Sequence, residues 1–150
     1  GFRPLPGEAT FSVEDAQEHL LSATLVNEFL TSDIIVIGAP MYNFSVSSQL
    51  KAWLDRLAQP GKTFNYTAEG PVGLAVNQRV IVVSSRGGFY HNTPLQEMDF
   101  QEHYLGTFLR FLGITHIEFE NYIFYFYNAC ELQQALEVGI PFIPLKFTSK

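Results

Sequence analysis

Two runs of β-branched residues, each followed at once by a loop that contains glycine or proline, constrain the fold of this chain most strongly. The first run is DIIVI at residues 33–37, and the second is RVIVVS at residues 79–84. Continuous apolar runs of this length are typical of strands buried on both faces of a parallel sheet, where neither side of the strand meets water. We therefore predict two parallel strands that end at the same edge of one sheet.

The segments around these strands have the periodicity of helices. Ser12 and Asp15 form a candidate capping box ahead of a helix at residues 13–30. Ser47 is a candidate cap for a second helix, which is stopped by Pro60 and Gly61. The apolar residues that recur at helical spacing are Leu21, Leu25 and Phe29 in the first helix and Leu50, Trp53, Leu54 and Leu57 in the second.

The remaining segments complete an alternation of strands and helices. Residues 62–77 lack periodicity and are predicted to form a long excursion, in part a hairpin. A helix at residues 101–112 closed by Gly113, a strand at 114–119 and a short helix at 130–138 are predicted next, and then an irregular tail. Such alternation implies right-handed crossovers and an α/β fold with a doubly wound parallel sheet. Three strands alone would leave an apolar edge exposed, so the prediction calls for more strands.

The composition fits one compact domain. The 150 residues are 47% hydrophobic and include fourteen Phe, seven Tyr and one Trp, enough apolar surface to offset the entropy of ordering. A net charge of −6 disfavours a nucleic-acid binder, which needs basic groups to displace counterions. The single Cys130 cannot form an intrachain disulfide, no apolar run approaches a membrane span of about 20 residues, and residues 1–10 do not resemble a signal peptide. We expect a cytoplasmic protein with no membrane partner.

The loops that follow the two apolar runs are the predicted ligand site, because ligands of open α/β sheets bind beyond the carboxyl ends of the strands. The first loop offers apolar faces and an amide; the second offers two glycines, where the backbone approaches a ligand closely or adopts a positive φ. Either loop alone could be an ordinary packed turn. Together they favour a planar heterocycle as ligand. The candidates are Pro40, Met41, Tyr42, Asn43 and Phe44 in the first loop and Ser85, Arg86, Gly87 and Gly88 in the second.

Four segments, in this order, resemble the FMN-dependent NADH-azoreductase family of flavodoxin-like NAD(P)H:quinone oxidoreductases, also labelled acyl carrier protein phosphodiesterase. They are IVIGAPMYNFSVSSQLKAWLDRL, TFNYTAEGPVGL, VIVVSSRGGFY and YLGTFLRFLGI. The resemblance covers residues 12–120 or so. It implies a homodimeric enzyme in which FMN takes a hydride from NADH or NADPH and passes two electrons to quinones or azo compounds in ping-pong fashion.

The resemblance also implies roles for individual residues. Residues 41–44 would line the flavin ring, with the Asn43 backbone near its reactive nitrogen, and residues 85–88 would meet the pyrimidine side. Aromatic side chains would wall the substrate slot, in part from the second subunit. The substrate-binding candidates are Tyr66, Tyr90, Phe108 and Phe111.

The chain also departs from the family pattern. The family's first strand, the serine-rich loop that wraps the FMN phosphate, the following helix and the second strand have no counterpart in the 150 residues. With the family's strand order of 2-1-3-4-5, these include the central strand. We therefore expect residues 1–150 to be a single but partial flavodoxin-like domain, truncated at its N-terminus, and the match also fades beyond Asn121.

The residue inventory suits chemistry carried by a cofactor. A flavin performs hydride transfer itself, so no catalytic side chain and no metal site are expected. The four histidines show no ligand spacing, and Cys130 is expected to pack as a small apolar residue. Two alternatives stay open: a flavin-binding electron carrier, which the acidity favours, and a truncated relative without catalysis.

Overall fold

The computed structural model describes the backbone of residues 12–123 and the side chains of residues 12–121. Three helices and five strands follow one another in this stretch, with a single 3₁₀ turn at Gln96–Met98. The elements are α1 (Val13–Thr31), β1 (Ile34–Pro40), α2 (Ser48–Leu57), β2 (Phe64–Thr67), β3 (Gly70–Gly73), β4 (Arg79–Arg86), α3 (Phe100–Phe111) and β5 (His116–Ile123).

A three-stranded parallel sheet with the order β1-β4-β5 forms the centre of the described chain. Ile35 pairs with Val80, and Val82 pairs with Phe119, so the apolar runs lie side by side in register. The β2–β3 hairpin forms a separate two-stranded antiparallel sheet. The predicted parallel α/β sheet and the hairpin within the long excursion are thus confirmed. The third strand runs from His116 to Ile123 rather than over residues 114–119.

The helix boundaries follow the capping residues that the sequence offers. Ser12 and Asp15 form the predicted capping box of α1, and the Ser47 hydroxyl accepts a hydrogen bond from the Leu50 amide at the start of α2. Past the end of α3, Gly113 has φ +105°, a backbone conformation that residues with a Cβ rarely adopt. The predicted stop at Gly113 is confirmed.

The apolar stripe predicted for α1 is only partly correct. Phe29 is buried as expected, but the second buried residue is Val26, and Leu21 remains 45% exposed. The N-terminal half of α1 extends beyond the core, where it is tied to α2 by the ion pair between Glu18 and Arg56. Helical spacing alone does not indicate where a helix leaves the core.

The core lies on one face of the parallel sheet. Inward-facing strand residues pack with all three helices in one cluster, whose buried members include Val26, Phe29, Ile37, Leu54, Leu57, Val80, Val82, Leu105, Leu109 and Leu112. On the opposite face Ile34 is 57% and Val36 is 64% exposed. The expectation that the first strand is buried on both faces is therefore wrong for β1, because the three described helices all cover the same side.

Several predictions concern residues beyond this region. The helix at 130–138, Cys130 and the irregular tail at 140–150 lie outside the described residues. Between residues 12 and 123, no helix combines the length and the apolar character that crossing a bilayer requires.

Candidate functional site

The two candidate loops lie next to each other at the carboxyl edge of the sheet. Pro40 is paired with Ser85 in the β1–β4 ladder, and the Met41 amide continues the ladder by donating a 2.8 Å hydrogen bond to the Ser85 carbonyl. The loops therefore begin from adjacent strand ends, as the parallel arrangement predicts.

The first loop turns sharply at Asn43 and Phe44. The Tyr42 amide donates to the Ser45 carbonyl at 2.8 Å, and the Ser45 amide donates back to Tyr42 at 3.0 Å. Between them Asn43 has φ +45° and Phe44 has φ +68°, the sign that a type I′ turn needs at both central positions. Asparagine tolerates this conformation well, whereas phenylalanine is held in it at a cost. The asparagine is a signal from which this turn could have been predicted.

Both loops carry backbone amides that make no hydrogen bond within residues 12–123. They are the amides of Asn43, Phe44, Gly87 and Gly88. A Cβ placed on Gly87 would have nothing within 4 Å, so the space beside it is open. Neither Gly87 nor Gly88 has a positive φ, so that predicted alternative is wrong for both. What these glycines provide is free space next to backbone donors.

The Arg86 side chain turns away from this space into the protein. Its Nη1 lies 2.5 Å from Asp99 Oδ2, and its Nη2 lies 3.4 Å from both Glu102 Oε2 and Gln101 Oε1. The side chain is only 2% exposed. Because the guanidinium is bonded to carboxylates at the start of α3, it is not available to a ligand. Only the backbone of Arg86 can make the predicted ligand contact.

Aromatic rings surround the two loops. The Phe44 and Tyr90 rings pack edge to face with centroids 6.4 Å apart, and the Arg86 guanidinium lies 5.8 Å from the Tyr90 centroid. Tyr42 is 60% exposed. The predicted residues Phe44 and Tyr90 thus lie together, and Tyr42 presents an apolar face at the surface.

The other predicted aromatic residues form a cluster at the opposite end of the sheet. Phe64 packs on Phe111 with centroids 4.6 Å apart and on Tyr66 with centroids 5.3 Å apart, and Phe108 extends the cluster along α3. The cluster lies at the far end because α3 runs antiparallel to β4: Asp99 contacts the end of β4, whereas Leu112 accepts a hydrogen bond from Ala75, ahead of its start. From Asp99 to Phe111 the helix rises roughly 18 Å. Within one chain, Tyr66, Phe108 and Phe111 do not adjoin the two loops.

A shallow cavity of about 450 Å³ lies on the α2 side of the first loop. Its lining residues are Tyr42, Asn43, Val46, Ser47, Ser48 and Gln49. The concave surface therefore adjoins the first loop and the start of α2, and residues of the second loop do not line it. In the described part of the chain, no cluster of three or more His, Cys, Asp or Glu side chains is arranged to hold a metal ion.

Sequence reasoning missed three residues that organise this edge of the sheet: Asp99, Gln101 and Glu102. Asp99 caps α3 by accepting the Glu102 amide at 3.0 Å, a D-x-x-E pattern that could have been noticed. Gln101 is fully buried and donates to the Ala39 carbonyl at 2.7 Å. Nothing in its sequence context distinguishes it from an ordinary helix-surface glutamine.

The chain belongs to the family described as having a flavodoxin-like fold, whose model matches residues 5–136. This agrees with the parallel sheet, the helical crossovers and the position of the loops. The membership confirms the predicted family and fold class.

Similar sequences narrow the comparison. The chain is 60% identical over 119 residues to FMN-dependent NADH:quinone oxidoreductase 2 of Xanthomonas euvesicatoria pv. vesicatoria, a match over 79% of this chain and 55% of the relative. It is 57% identical to FMN-dependent NADH:quinone oxidoreductase of Ralstonia nicotianae, over 79% of this chain and 57% of the relative. The chain thus spans little more than half the length of these curated relatives.

Comparison with solved structures agrees with the sequence comparison. An FMN-dependent NADH-azoreductase of Bacillus anthracis str. Ames Ancestor, in complex with FMN, superposes with a TM-score of 0.75 at 26% identity, over 83% of this chain and 60% of that one. An azoreductase of Bacillus anthracis str. Sterne has a TM-score of 0.74 at 29% identity, over 86% and 60% of the two chains.

Proposed function

We propose that this chain carries the flavin-ring half of an FMN-dependent NADH:quinone and azo reductase. The observation that carries the proposal is the pairing of the two loops by the Met41–Ser85 hydrogen bond, with backbone donors on both sides that have no partner within residues 12–123. The similarity to oxidoreductases and azoreductases named for FMN and NADH supports it.

The described residues fit the ring of a flavin. The open space at Gly87 admits a flat ligand close to the backbone, and the free amides of Asn43, Phe44, Gly87 and Gly88 suit the carbonyls and nitrogens of its polar edge. Pro40, Met41, Tyr42 and Phe44 supply the apolar contacts, and the Ser85 backbone holds the first loop in place. When bound, FMN supplies two-electron hydride chemistry between NADH or NADPH and a quinone or azo acceptor. The protein contributes position and dipoles.

The substrate slot in this proposal is completed by a second copy of the chain. Tyr90 lies at the loops, but Tyr66, Phe108 and Phe111 lie at the other end of the sheet in the same chain. Tyr66 is 73% exposed and therefore accessible to another molecule. A homodimer that brings this aromatic cluster to the partner's loops would make all four residues substrate contacts. We assign this enzyme to the cytoplasm.

The test is a flavin titration and a redox cycle on the purified chain. FMN fluorescence is expected to be quenched on binding, NADH to bleach the absorbance of bound flavin, and a quinone to restore it. Bleaching without turnover of a quinone would indicate an electron carrier instead, and the absence of flavin binding would overturn the proposal for this chain.

Gly87→Ala tests the site itself. The added methyl group enters open space, so we expect a change in unfolding free energy of less than ~0.5 kcal/mol, whereas the Kd for FMN rises about tenfold because the methyl occupies the ring's place. Gly38→Ala is the matched control, since its methyl group also meets no atom within 4 Å but lies within β1, outside both loops. Equal FMN affinity in both variants would contradict the assignment of Gly87.

A further inference from the structure

The first turn of α3 is joined to the ends of both strands that carry the candidate loops. Gln101, fully buried, uses its Nε2 to donate a 2.7 Å hydrogen bond to the carbonyl of Ala39, directly before Pro40. Its Oε1 faces Arg86 Nη2 at 3.4 Å, directly before Gly87. One side chain thus contacts Ala39 near the end of β1 and Arg86 at the end of β4.

Arg86 extends this connection in two directions. Its guanidinium is held by Asp99, the capping residue of α3, and by Glu102 one turn later. On the other side it lies 5.8 Å from the centre of the Tyr90 ring, which packs edge to face on Phe44. The second route between the loops therefore runs from α3 through Arg86 and Tyr90 to the turn at Phe44.

Each group in this arrangement is oriented by more than one contact. A planar guanidinium with fixed donor directions holds carboxylates and an amide oxygen in defined positions, which a flexible ammonium group does not. A buried amide that lost either partner would leave an unsatisfied polar group, which costs more than the hydrogen bond itself contributes. The spacing of the two loops is therefore fixed by a buried polar network in addition to the strand ladder.

We infer that Gln101 and Arg86 are positioning residues that set the distance between the two loops and thereby the width of the ring site. Their side chains are buried and act through Ala39 and through Tyr90, not by contact with a ligand. The geometric part of this inference, that the two side chains set the loop spacing, rests only on contacts within this chain. Its consequence for flavin affinity rests on the proposed function.

Hydrogen–deuterium exchange on flavin-free protein tests the geometric part. Gln101→Met keeps the length of the side chain and removes both polar contacts, so the amides of Met41, Tyr42 and Ser45 are expected to exchange about tenfold faster. The amide of Ala75, bonded to Leu112 at the other end of the sheet, is expected to be unchanged.

Gln78→Met is the matched control. Gln78 is also buried and also donates to a backbone carbonyl, that of Leu30 at 2.9 Å, but it lies just before β4 begins. This variant loses a comparable hydrogen bond without touching either loop. Exchange at Met41, Tyr42 and Ser45 that is as fast in Gln78→Met as in Gln101→Met would overturn the inference, because a general loss of stability would then explain both.

Flavin binding provides the second readout. The Kd for FMN is expected to rise about tenfold in Gln101→Met and to stay unchanged in Gln78→Met. Arg86→Lys keeps the positive charge next to Asp99 but not the planar guanidinium with its fixed donor directions, and it is expected to raise the Kd for FMN by a similar factor. This variant replaces Gln101→Met in the test if Gln101→Met does not fold. If the parent chain binds no FMN, the proposed function fails, and exchange alone decides the positioning role. Unchanged exchange in both Gln101→Met and Arg86→Lys overturns that role.

Discussion

The two ends of the parallel sheet are built from different interactions. At the carboxyl end, backbone hydrogen bonds and a buried arginine network hold two loops whose outer surfaces remain open. At the amino end, the β2–β3 hairpin and the end of α3 pack through aromatic rings and through two glycines in close backbone contact. Along β4 these ends lie roughly 20 Å apart.

We therefore expect the carboxyl end of the sheet to serve ligand binding and the amino end to serve the stability of the fold. An end held by backbone hydrogen bonds and a buried polar network can leave donors and space for a ligand, because the outer surfaces of its loops are not needed for packing. An end held by ring and backbone packing has no such space, so substitutions there are expected to affect the free energy of unfolding first. The following variants test the separation, from the largest expected effect to the smallest.

Gly73→Ala is expected to have the largest effect. A Cβ at Gly73 would collide with the backbone of Leu112 and Gly113, so the hairpin or the end of α3 must move. We expect the free energy of unfolding to fall by about 3 kcal/mol or more, as measured by urea unfolding. Gly38→Ala, with no atom near its added methyl group, is expected to unfold like the parent. Similar stability of the two variants would contradict the close packing at the amino end.

Asn43→Val is expected to have an intermediate effect. Position 43 has φ +45°, a conformation that β-branched residues strongly disfavour, so we expect a loss of ~1–2 kcal/mol of unfolding free energy. Asn43→Gly, which accepts this φ without strain, is expected to change stability by less than ~0.5 kcal/mol in the same urea experiment. If valine is tolerated as well as glycine, the turn does not depend on its positive φ.

Glu118→Gln is expected to have the smallest effect on stability. This effect is expected at neutral pH and not at acidic pH. Hydrogen bonds from Arg79, at 2.8 and 2.9 Å, hold the pKa of the Glu118 carboxyl below its usual value. A lowered pKa in the folded state means that the stabilisation is present at neutral pH and is lost as the pH falls below about 4.3 through the folded-state pKa. The Tm difference between parent and variant is therefore expected at pH 7 and absent at pH 3.

Glu120→Gln is the control for that experiment, because it removes the same charge from a side chain that Arg79 does not bond. A Tm difference at pH 7 as large for this variant as for Glu118→Gln would attribute the effect to net charge. Since the Arg79–Glu118 pair is exposed, a small difference is the expected result.

Much of the fold could be read from local patterns. The runs at residues 33–37 and 79–84 predicted adjacent strands, and the capping residues Ser12 and Ser47 predicted where helices begin. The resemblance of four sequence segments predicted the family, and the match to the family with a flavodoxin-like fold confirms it. These features are encoded within a few residues of one another.

The parts that sequence reasoning missed depend on distant contacts. That Arg86 points inward follows from where Asp99 and Glu102 lie in space, and that Tyr66 and Phe111 lie away from the loops follows from the direction of α3. The exposure of Val36 likewise depends on which face the helices cover.

The sequence by itself determined the strands, the helix starts and the two loops that follow the strands, because apolar periodicity, capping and turn chemistry are short-range effects. Tertiary structure alone decided that Gln101 lies between Ala39 and Arg86, and that the aromatic cluster lies at the opposite end of the sheet from Tyr90. The physical reason is that burial and hydrogen-bond partners are properties of the packed chain, set by residues that are many positions apart in the sequence.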